Sequence, residues 1–375
     1  MVIAVNTRLL LKNKLQGIGW FSYESLKRIT QDHPEHTFHF FFDRPFDQEF
    51  VFGENVIPHV LFPQARHPFL YFLFFEFAVT QALKTIKADL FLSPDGYLSL
   101  RTDVPSIQVI HDLNFEHNPE FVPFFERKFY RYFFPRYARK AARIATVSSF
   151  SKQDIIDVYG IAENKIDVVY NGAGKQFQPL SDIEQVEIRN EISGGVPYFL
   201  YVGAFHHRKN MHGMVNAFSK FKRLTQSKVK FVFVGEKLFG DPAFAKAYET
   251  CEFKNDFIFT GRLASEKLPK VIASAQTMVY VPFFEGFGIP PLEAMQSGTP
   301  VICSNVSSLP EVVGNAALTV NPKDCDEIVS ALSRMDSDPE LRENFKRLGL
   351  EQAKKFSWEK TARALYNSIE KVLNG

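Results

Sequence analysis

The stretch from Thr277 to Pro300 limits most sharply what this chain can fold into. Thr277 to Pro282 is an apolar run of the length of a buried parallel strand, and Pro290-Pro291 suits only the first turn of a helix, where no amide donor is missed. Between them stands Glu285-Gly286-Phe287-Gly288, so both glycines fall in a strand-to-helix turn. Lacking Cβ atoms, they let free amides approach an anion, and the helix N-terminus behind them favours phosphate. Glu285 is expected just before the turn and Glu293 on the first helical turn. Two carboxylates beside a phosphate cradle bind phosphate poorly, but accept hydrogen bonds well from sugar and ribose hydroxyls. A nucleotide sugar suits both halves of this arrangement, whereas the glycines alone would serve equally for tight strand-helix packing.

Such a strand-turn-helix unit needs parallel neighbours, and the rest of the chain supplies them. Short apolar runs alternate with amphipathic stretches throughout, the pattern of a parallel sheet wrapped by helices. In the first half, strands are expected at Val2-Val5, Phe38-Phe42, Asp89-Leu92, Ser106-Ile110, Ile144-Val147 and Asp167-Val169, with helices at Gly19-Ile29, Phe69-Ile86, Pro123-Ala142 and Ser149-Tyr159. A second series starts with strand Tyr198-Val202 and helix Met211-Leu224. It continues through strands at Lys230-Gly235, Phe257-Thr260, Thr277-Val281 and Pro300-Cys303. The expected fold is therefore α/β, with two Rossmann-like doubly wound domains facing across a cleft, since open sheets bind ligands beyond the carboxyl ends of their strands. The domains are placed at 1–175 and 197–355, joined by a linker at 176–196 that follows on the turn-rich Asn171-Pro179 and whose polar run Ser181-Ser193 can form a helix.

At 375 residues the chain is too long for one ordinary core. Its 44 basic and 42 acidic residues balance too closely for general nucleic-acid binding. The 3 cysteines are widely spaced and odd in number, which indicates neither a disulfide framework nor a zinc cluster and fits a reducing compartment. No signal peptide is read at Met1-Val5, and the Phe-rich run Pro68-Val79 is read as too short and interrupted to span a bilayer. A cytoplasmic location is expected.

Further candidate residues sit at other strand ends. Strand Tyr198-Val202 leads into Gly203-Ala-Phe-His-His-Arg208-Lys209-Asn210, whose two cations can neutralise a departing diphosphate or simply face solvent. Val109-Ile110 leads into His111-Asp112, where a histidine is either structural or a sugar-hydroxyl partner oriented by Asp112. Gly17 and Gly19 precede or open a helix, and Arg262-Leu263 follows strand Phe257-Thr260. No Asp-x-Asp triad lies at a strand end, so no metal is expected.

From Glu285 through Pro310-Glu311-Val-Val-Gly314 to Asn321-Pro322, the chain resembles the donor-site signature of retaining GT-B glycosyltransferases, in particular glycosyltransferase family 4. The resemblance covers nearly the whole chain. It implies transfer of a hexosyl group, with mannosyl as a candidate, from a nucleoside diphosphate sugar to a hydroxyl of a saccharide or lipid-linked saccharide in cell-surface polysaccharide synthesis. It assigns Glu285 to donor-sugar hydroxyls, Glu293 to the ribose, Lys209 to the diphosphate and His111 to the cleft near the donor sugar. By the same resemblance Gly17 and Gly19 approach the donor phosphate, Arg262 and Leu263 line the base, and a last helix within 356–375 crosses back to the first domain. Many relatives carry an arginine directly after the glycine of the phosphate loop; here Ala204 stands there, and Arg208 is the candidate replacement. No cofactor is implied beyond the donor, which is a substrate. Two other readings share the architecture: a nucleotide-sugar epimerase or hydrolase, and a non-catalytic nucleotide-sugar-binding subunit.

The helix expected at Pro123-Ala142 interleaves Arg127, Lys128, Arg131, Arg136, Arg139 and Lys140 with Phe125, Phe129, Tyr130, Tyr132, Phe133 and Phe134, and Arg143 follows. Alternating cations and aromatics suit a membrane interface, although the same aromatics can face a core. Peripheral contact with the inner face of the cytoplasmic membrane is the functional reading. Pro135 is expected to break the helix.

Overall fold

The structure is a computed structural model describing residues 1–236 and 241–374; part of the loop read after strand Lys230-Gly235 lies outside the described residues. The chain divides into two compact units, Met1–Gly172 with Trp358–Gly375, and Ala173–Ser357.

In the first unit, β1 (Val2–Asn6), β2 (Thr37–Phe42), β3 (Val56–Val60), β4 (Leu90–Ser93), β5 (Ser106–Ile110), β6 (Arg143–Thr146) and β7 (Ile166–Val168) form one sheet in the order β3-β2-β1-β4-β5-β6-β7. Every pairing is parallel. Ala4 of β1 lies between His39 of β2 and Phe91 of β4, so the strand order reverses between β1 and β4. Both faces are covered, which is why these strands read as continuous apolar runs and why Phe40, Phe41 and Phe42 are all buried. Strand β3 is an addition to the expected set. Its Pro58 obscures it in the sequence, yet β3 is an edge strand, where a missing donor can face away from the sheet.

The helix expected at Phe69-Ile86 is present, but the reading of its Phe-rich run as too short for a bilayer needs correction, as does the break expected at Pro135. The Phe-rich run extends into a continuous helix, Pro68–Ile86, of 19 residues, which is long and apolar enough to cross a membrane by length and composition alone. Phe74, Phe75, Val79 and Leu83 are nonetheless fully buried in the core of the unit, and buried Glu76 accepts the Leu100 amide at 3.0 Å. This face therefore belongs to the protein interior. Pro135 does not break its helix, which runs Phe124–Lys140. Burial of Phe134, Tyr137 and Ala138 on either side of the proline outweighs the lost bond, and the Arg136 guanidinium donates to the Tyr132 carbonyl at 2.5 Å within the disturbed turn. The helix Trp358–Leu373 packs on the helix Gly17–Asp32, with the Thr361 hydroxyl donating to the Tyr170 carbonyl at 2.6 Å.

The second unit contains β8 (Tyr198–Val202), β9 (Lys230–Val234), β10 (Phe257–Gly261), β11 (Thr277–Tyr280), β12 (Val301–Ser304) and β13 (Leu318–Val320), in the order β10-β9-β8-β11-β12-β13 and again all parallel. The order reverses between β8 and β11. The segment 176–196 carries the helix Asp182–Ser193, as its polar run allows, started by a capping box of Ser181 and Glu184. Arg189 on that helix donates to the Ser274 carbonyl at 2.8 Å, which fastens the segment to the second unit.

Candidate active site

Because β8 and β11 are neighbours at the switch point, the loops beyond their carboxyl ends meet, although they lie far apart in sequence. The Phe283 amide donates to the Arg208 carbonyl at 2.9 Å, zipping the loops together. Asn210, in the left-handed region at φ 58°, fastens them further, its buried amide donating to the Val281 and Pro322 carbonyls at 3.1 and 2.7 Å. Arg208 and Lys209 are thereby aimed at Glu285.

The Glu285 Oε2 atom accepts from three groups: the Lys209 ammonium, the Tyr280 hydroxyl at 2.9 Å and the Arg208 guanidinium at 3.1 Å. Burial works to raise the Glu285 pKa, but Lys209 and Arg208 outweigh it and hold the carboxyl at about 2. Glu285 is therefore an acceptor at any working pH. Its Oε1 atom has no donor among the described residues. Two cations against one carboxylate leave the cluster with a net positive charge, which suits an anionic leaving group.

Glu285 is pinned from its own backbone as well. Its amide donates to the Ser307 hydroxyl at 3.1 Å, and its carbonyl accepts from the Ser308 hydroxyl at 2.8 Å. Gly286 is buried in the turn, and Gly288, at φ 100°, immediately precedes the helix Ile289–Gln296. A Cβ on Gly288 would lie 2.5 Å from a Leu309 methyl, so the position needs glycine for both reasons. The Phe287 ring packs edge-on against Phe356 at 5.7 Å and supports the turn. Glu293 is the fifth residue of the helix, one turn later than the sequence reading placed it. Its partly buried carboxyl has no hydrogen-bond partner among the described residues, and burial raises its pKa to about 8.

Arg262 and Leu263 follow β10, at the edge of the sheet, so β9 and β8 separate them from the Glu285 cluster. Arg262 is exposed.

In the first unit, His111 follows β5, next to the β1–β4 switch point. Its Nε2 lies 2.7 Å from the Pro94 carbonyl, which only accepts, so Nε2 carries the proton. Burial lowers the His111 pKa, and the neutral ring then presents an unprotonated Nδ1. Asp112 does not orient this ring; its carboxylate accepts the Asn114 amide at 3.0 Å instead. The Phe21 ring meets the imidazole edge-on at 5.0 Å. Gly17 begins the helix Gly17–Asp32, is exposed and has open space around it, whereas a Cβ on Gly19 would press on the Leu9 carbonyl at 3.1 Å. Gly19 thus serves close packing.

Two features escaped the sequence reading. Tyr280 looks like any residue of a buried strand, and only the fold shows its hydroxyl between Lys209 and Glu285. Arg8, beyond β1, pairs with Asp95 at 2.5 Å, and Asn6 donates to the same carboxylate at 2.6 Å. The Arg8 guanidinium lies 4.4 Å from the Tyr97 ring centroid. This cluster fixes the turn whose Pro94 carbonyl holds His111.

Two parallel-sheet Rossmann-like units with phosphate-type loops at their switch points define the GT-B class of glycosyltransferases. The solved structures agree in fold: Anabaena Alr3699/HepE in complex with UDP-glucose matches with a TM-score of 0.77 and 16% identity over 99% of this chain and 100% of its own. WaaG, a glycosyltransferase involved in lipopolysaccharide biosynthesis, matches with a TM-score of 0.76 and 13% identity over 100% of both chains. Residues 17–174 match the family Glycosyltransferase Family 4, and residues 182–352 match Glycosyl transferases group 1. The O-antigen chain mannosyltransferase B of Escherichia coli is 30% identical over 371 residues, covering 96% of this chain and 97% of that protein. The O-antigen chain mannosyltransferase RfbU of Salmonella typhimurium is 29% identical over 236 residues, 63% of this chain and 62% of that protein. The chain belongs to glycosyltransferase family 4.

Proposed function

We propose that the protein is a retaining, metal-independent glycosyltransferase that moves a mannosyl group from a nucleoside diphosphate sugar to a saccharide or lipid-linked saccharide during surface-polysaccharide synthesis. The observation that carries this reading is the convergence of Arg208, Lys209 and Glu285 beside the glycine turn. As the donor C1–O bond to phosphate breaks, negative charge grows on the diphosphate, and the net positive cluster stabilises it more in the transition state than in the ground state. Glu285 Oε1 is an acceptor for a donor-sugar hydroxyl, and Glu293 for the ribose. The acceptor oxygen bonds to C1 on the face the phosphate leaves, and its proton passes to the departing phosphate. No carboxylate is assigned as nucleophile, so a covalent glycosyl-enzyme is not part of the scheme. The names of the Escherichia coli and Salmonella relatives support mannose as the sugar.

The first unit supplies two further supports. Neutral His111 offers Nδ1 to a sugar hydroxyl. On the helix Phe124–Lys140, Lys128, Tyr132, Arg136 and Arg139 are exposed and share a face by their three- and four-residue spacing. Lys128, Tyr132 and Arg136 of this face, together with Phe69 and Phe125, border an open hollow of about 610 Å³. Phe69, Phe125 and Tyr132 are 63%, 66% and 53% exposed, an unusual outlay of aromatic surface that supports peripheral contact with the cytoplasmic face of a membrane.

A thermal-shift panel of GDP-mannose, UDP-glucose and ADP-glucose tests the donor assignment, because a ligand of the folded state raises its melting temperature by mass action. GDP-mannose should give the largest shift, and product analysis with a mannoside acceptor should show an α-linkage. Full interconversion of a donor sugar without acceptor would favour an epimerase. Donor binding without turnover across a broad acceptor panel would favour a binding subunit.

A further inference from the structure

The loop that carries Arg208 and Lys209 also carries His207, and the fold sets His207 beside His212 and Asp241. The imidazole-nitrogen and carboxylate-oxygen atoms of these residues lie within 4.8 Å of one another. The two rings stack at 5.1 Å with an interplanar angle of 18°, and His207 Nδ1 lies 3.4 Å from Asp241 Oδ1.

Two atoms of the cluster are buried and have no hydrogen-bond partner among the described residues: His212 Nδ1 and Asp241 Oδ2. Orphaned polar atoms in a native interior are uncommon and costly, and here both belong to metal-ligating residue types in one cluster. The Asp241 side chain is only 5% exposed. Its Oδ1 caps the helix Pro242–Thr250, accepting the Ala243 and Phe244 amides at 3.0 and 3.3 Å. That cap fixes the plane of the carboxylate while leaving Oδ2 for another bond, the outer-shell arrangement typical of a metal ligand.

We propose that His207, His212 and Asp241 form a binding site for a borderline divalent cation of the zinc class, separate from the Glu285 cluster. Two imidazoles and one carboxylate are the donor set such ions prefer over magnesium or calcium, and three protein ligands leave a fourth position for water. Ligands of a tetrahedral zinc stand about 3.4 Å apart at zinc bond lengths of 2.0–2.1 Å. The donor atoms of this cluster, within 4.8 Å of one another, would draw closer on binding the ion. The ion bridges the phosphate loop to the start of the helix Pro242–Thr250, so occupancy stiffens the loop bearing Arg208 and Lys209 without entering the bond-making step. The site rests on the second unit alone and does not depend on the donor or sugar assigned above.

The test uses the full chain, freed of metal by chelation and titrated with Co²⁺ and then Zn²⁺. Co²⁺ should give visible d–d absorption with the intensity of a four-coordinate site, and one equivalent of Zn²⁺ should displace it. At a Zn²⁺ concentration about a hundred times the measured Kd, the melting temperature should rise by roughly 5–10 °C. Asp241→Asn keeps a capping side chain and His212→Gln keeps a polar one, so both should fold, melt like the metal-free wild type and lose the Zn²⁺ shift. A His59→Gln control, outside the cluster, should keep it. An octahedral cobalt spectrum, or an equal Zn²⁺ shift in all the variants, would overturn the proposal in favour of adventitious histidine binding. Absence of any shift in the wild type would overturn it outright.

Discussion

The Lys209 ammonium donates to the Tyr280 hydroxyl at 2.6 Å, and that hydroxyl donates onward to Glu285 at 2.9 Å. The ammonium also lies 5.0 Å from the Tyr280 ring centroid. Tyr280 thus holds the cation and the carboxylate in one geometry from the end of a rigid central strand. Burial, with Glu285 and Tyr201 nearby, pushes the phenol well above its ordinary pKa, so it stays a neutral donor.

Tyr280→Phe should leave the fold intact and reduce kcat by about 10-fold or somewhat more, since a hydrogen bond to a charged group contributes roughly 1.5–3 kcal/mol. Steady-state kinetics beside a melting curve would check this. A wild-type kcat would show that the hydroxyl is a bystander.

Lys209→Ala should depress kcat by about 10²-fold, the cost of losing one preorganised contact to developing charge. Arg208→Ala should lose less, because Arg208 is also spent on the Phe284 carbonyl at 2.8 Å and sits farther from Glu285. Near-wild-type rates in both variants would remove this loop from the mechanism.

Glu293 titrates in the working range, and its sign is specific. Its carboxyl, raised from 4.5 to about 8, is protonated in the free enzyme at neutral pH, whereas ribose hydroxyls donate to the ionised form. Donor binding below pH 8 should therefore release close to one proton, measurable as a buffer-dependent heat at pH 7. Folding stability follows the same linkage: the contribution of the neutral carboxyl is present below pH 4.5 and is lost as pH rises to about 8. Glu293→Gln should consequently melt above the wild type at pH 8 to 9, converge with it near pH 4 to 5, and raise donor KM more than it changes kcat. Donor binding with no proton release in the wild type would contradict the ribose role.

Much of this was legible in the sequence, because the local chemistry is local. Pro290-Pro291 and Gly288 require a strand-turn-helix, and the Arg-Lys-Asn triplet after β8 can only be a strand-end loop. What stayed hidden depends on neighbours in space. Pro58 and Pro135 argue against the elements that contain them, and are tolerated because one lies on an edge strand and the other is flanked by deeply buried aromatics. Tyr280 has no polar signature until β8 and β11 become adjacent. His207, His212 and Asp241 have no metal-ligand spacing in sequence, and Asp112 looked like the partner of His111 only because it is next to it in the chain.

Activity should persist after exhaustive EDTA treatment, because the charges assigned to the leaving diphosphate are the side chains of Arg208 and Lys209. The cluster of His207, His212 and Asp241 affects melting temperature in this scheme and does not supply the bond-breaking charge. Abolition of turnover by EDTA with rescue by Mg²⁺ or Mn²⁺ would instead place a metal on the diphosphate.

Membrane attachment should depend on a narrower set of cations than the sequence indicates. Arg143 is committed to Asp167 at 2.6 Å, Arg127 to the Pro119 carbonyl at 3.3 Å and Arg131 to Glu116 at 3.1 Å. Lys128, Arg136 and Arg139 are exposed on the face shared with Tyr132, Arg136 bonding back to the Tyr132 carbonyl of its own helix, and each cation near an anionic surface gains about 1 kcal/mol, an attraction that salt screens. Co-sedimentation with vesicles should rise with anionic lipid and fall at high ionic strength. Lys128→Glu, Arg136→Glu and Arg139→Glu together should cut it sharply without lowering the melting temperature, because these side chains lie outside the core. Phe69→Ser with Phe125→Ser should weaken the part of the binding that survives high salt. Equal sedimentation with neutral and anionic vesicles, or none with either, would assign this face to a soluble acceptor.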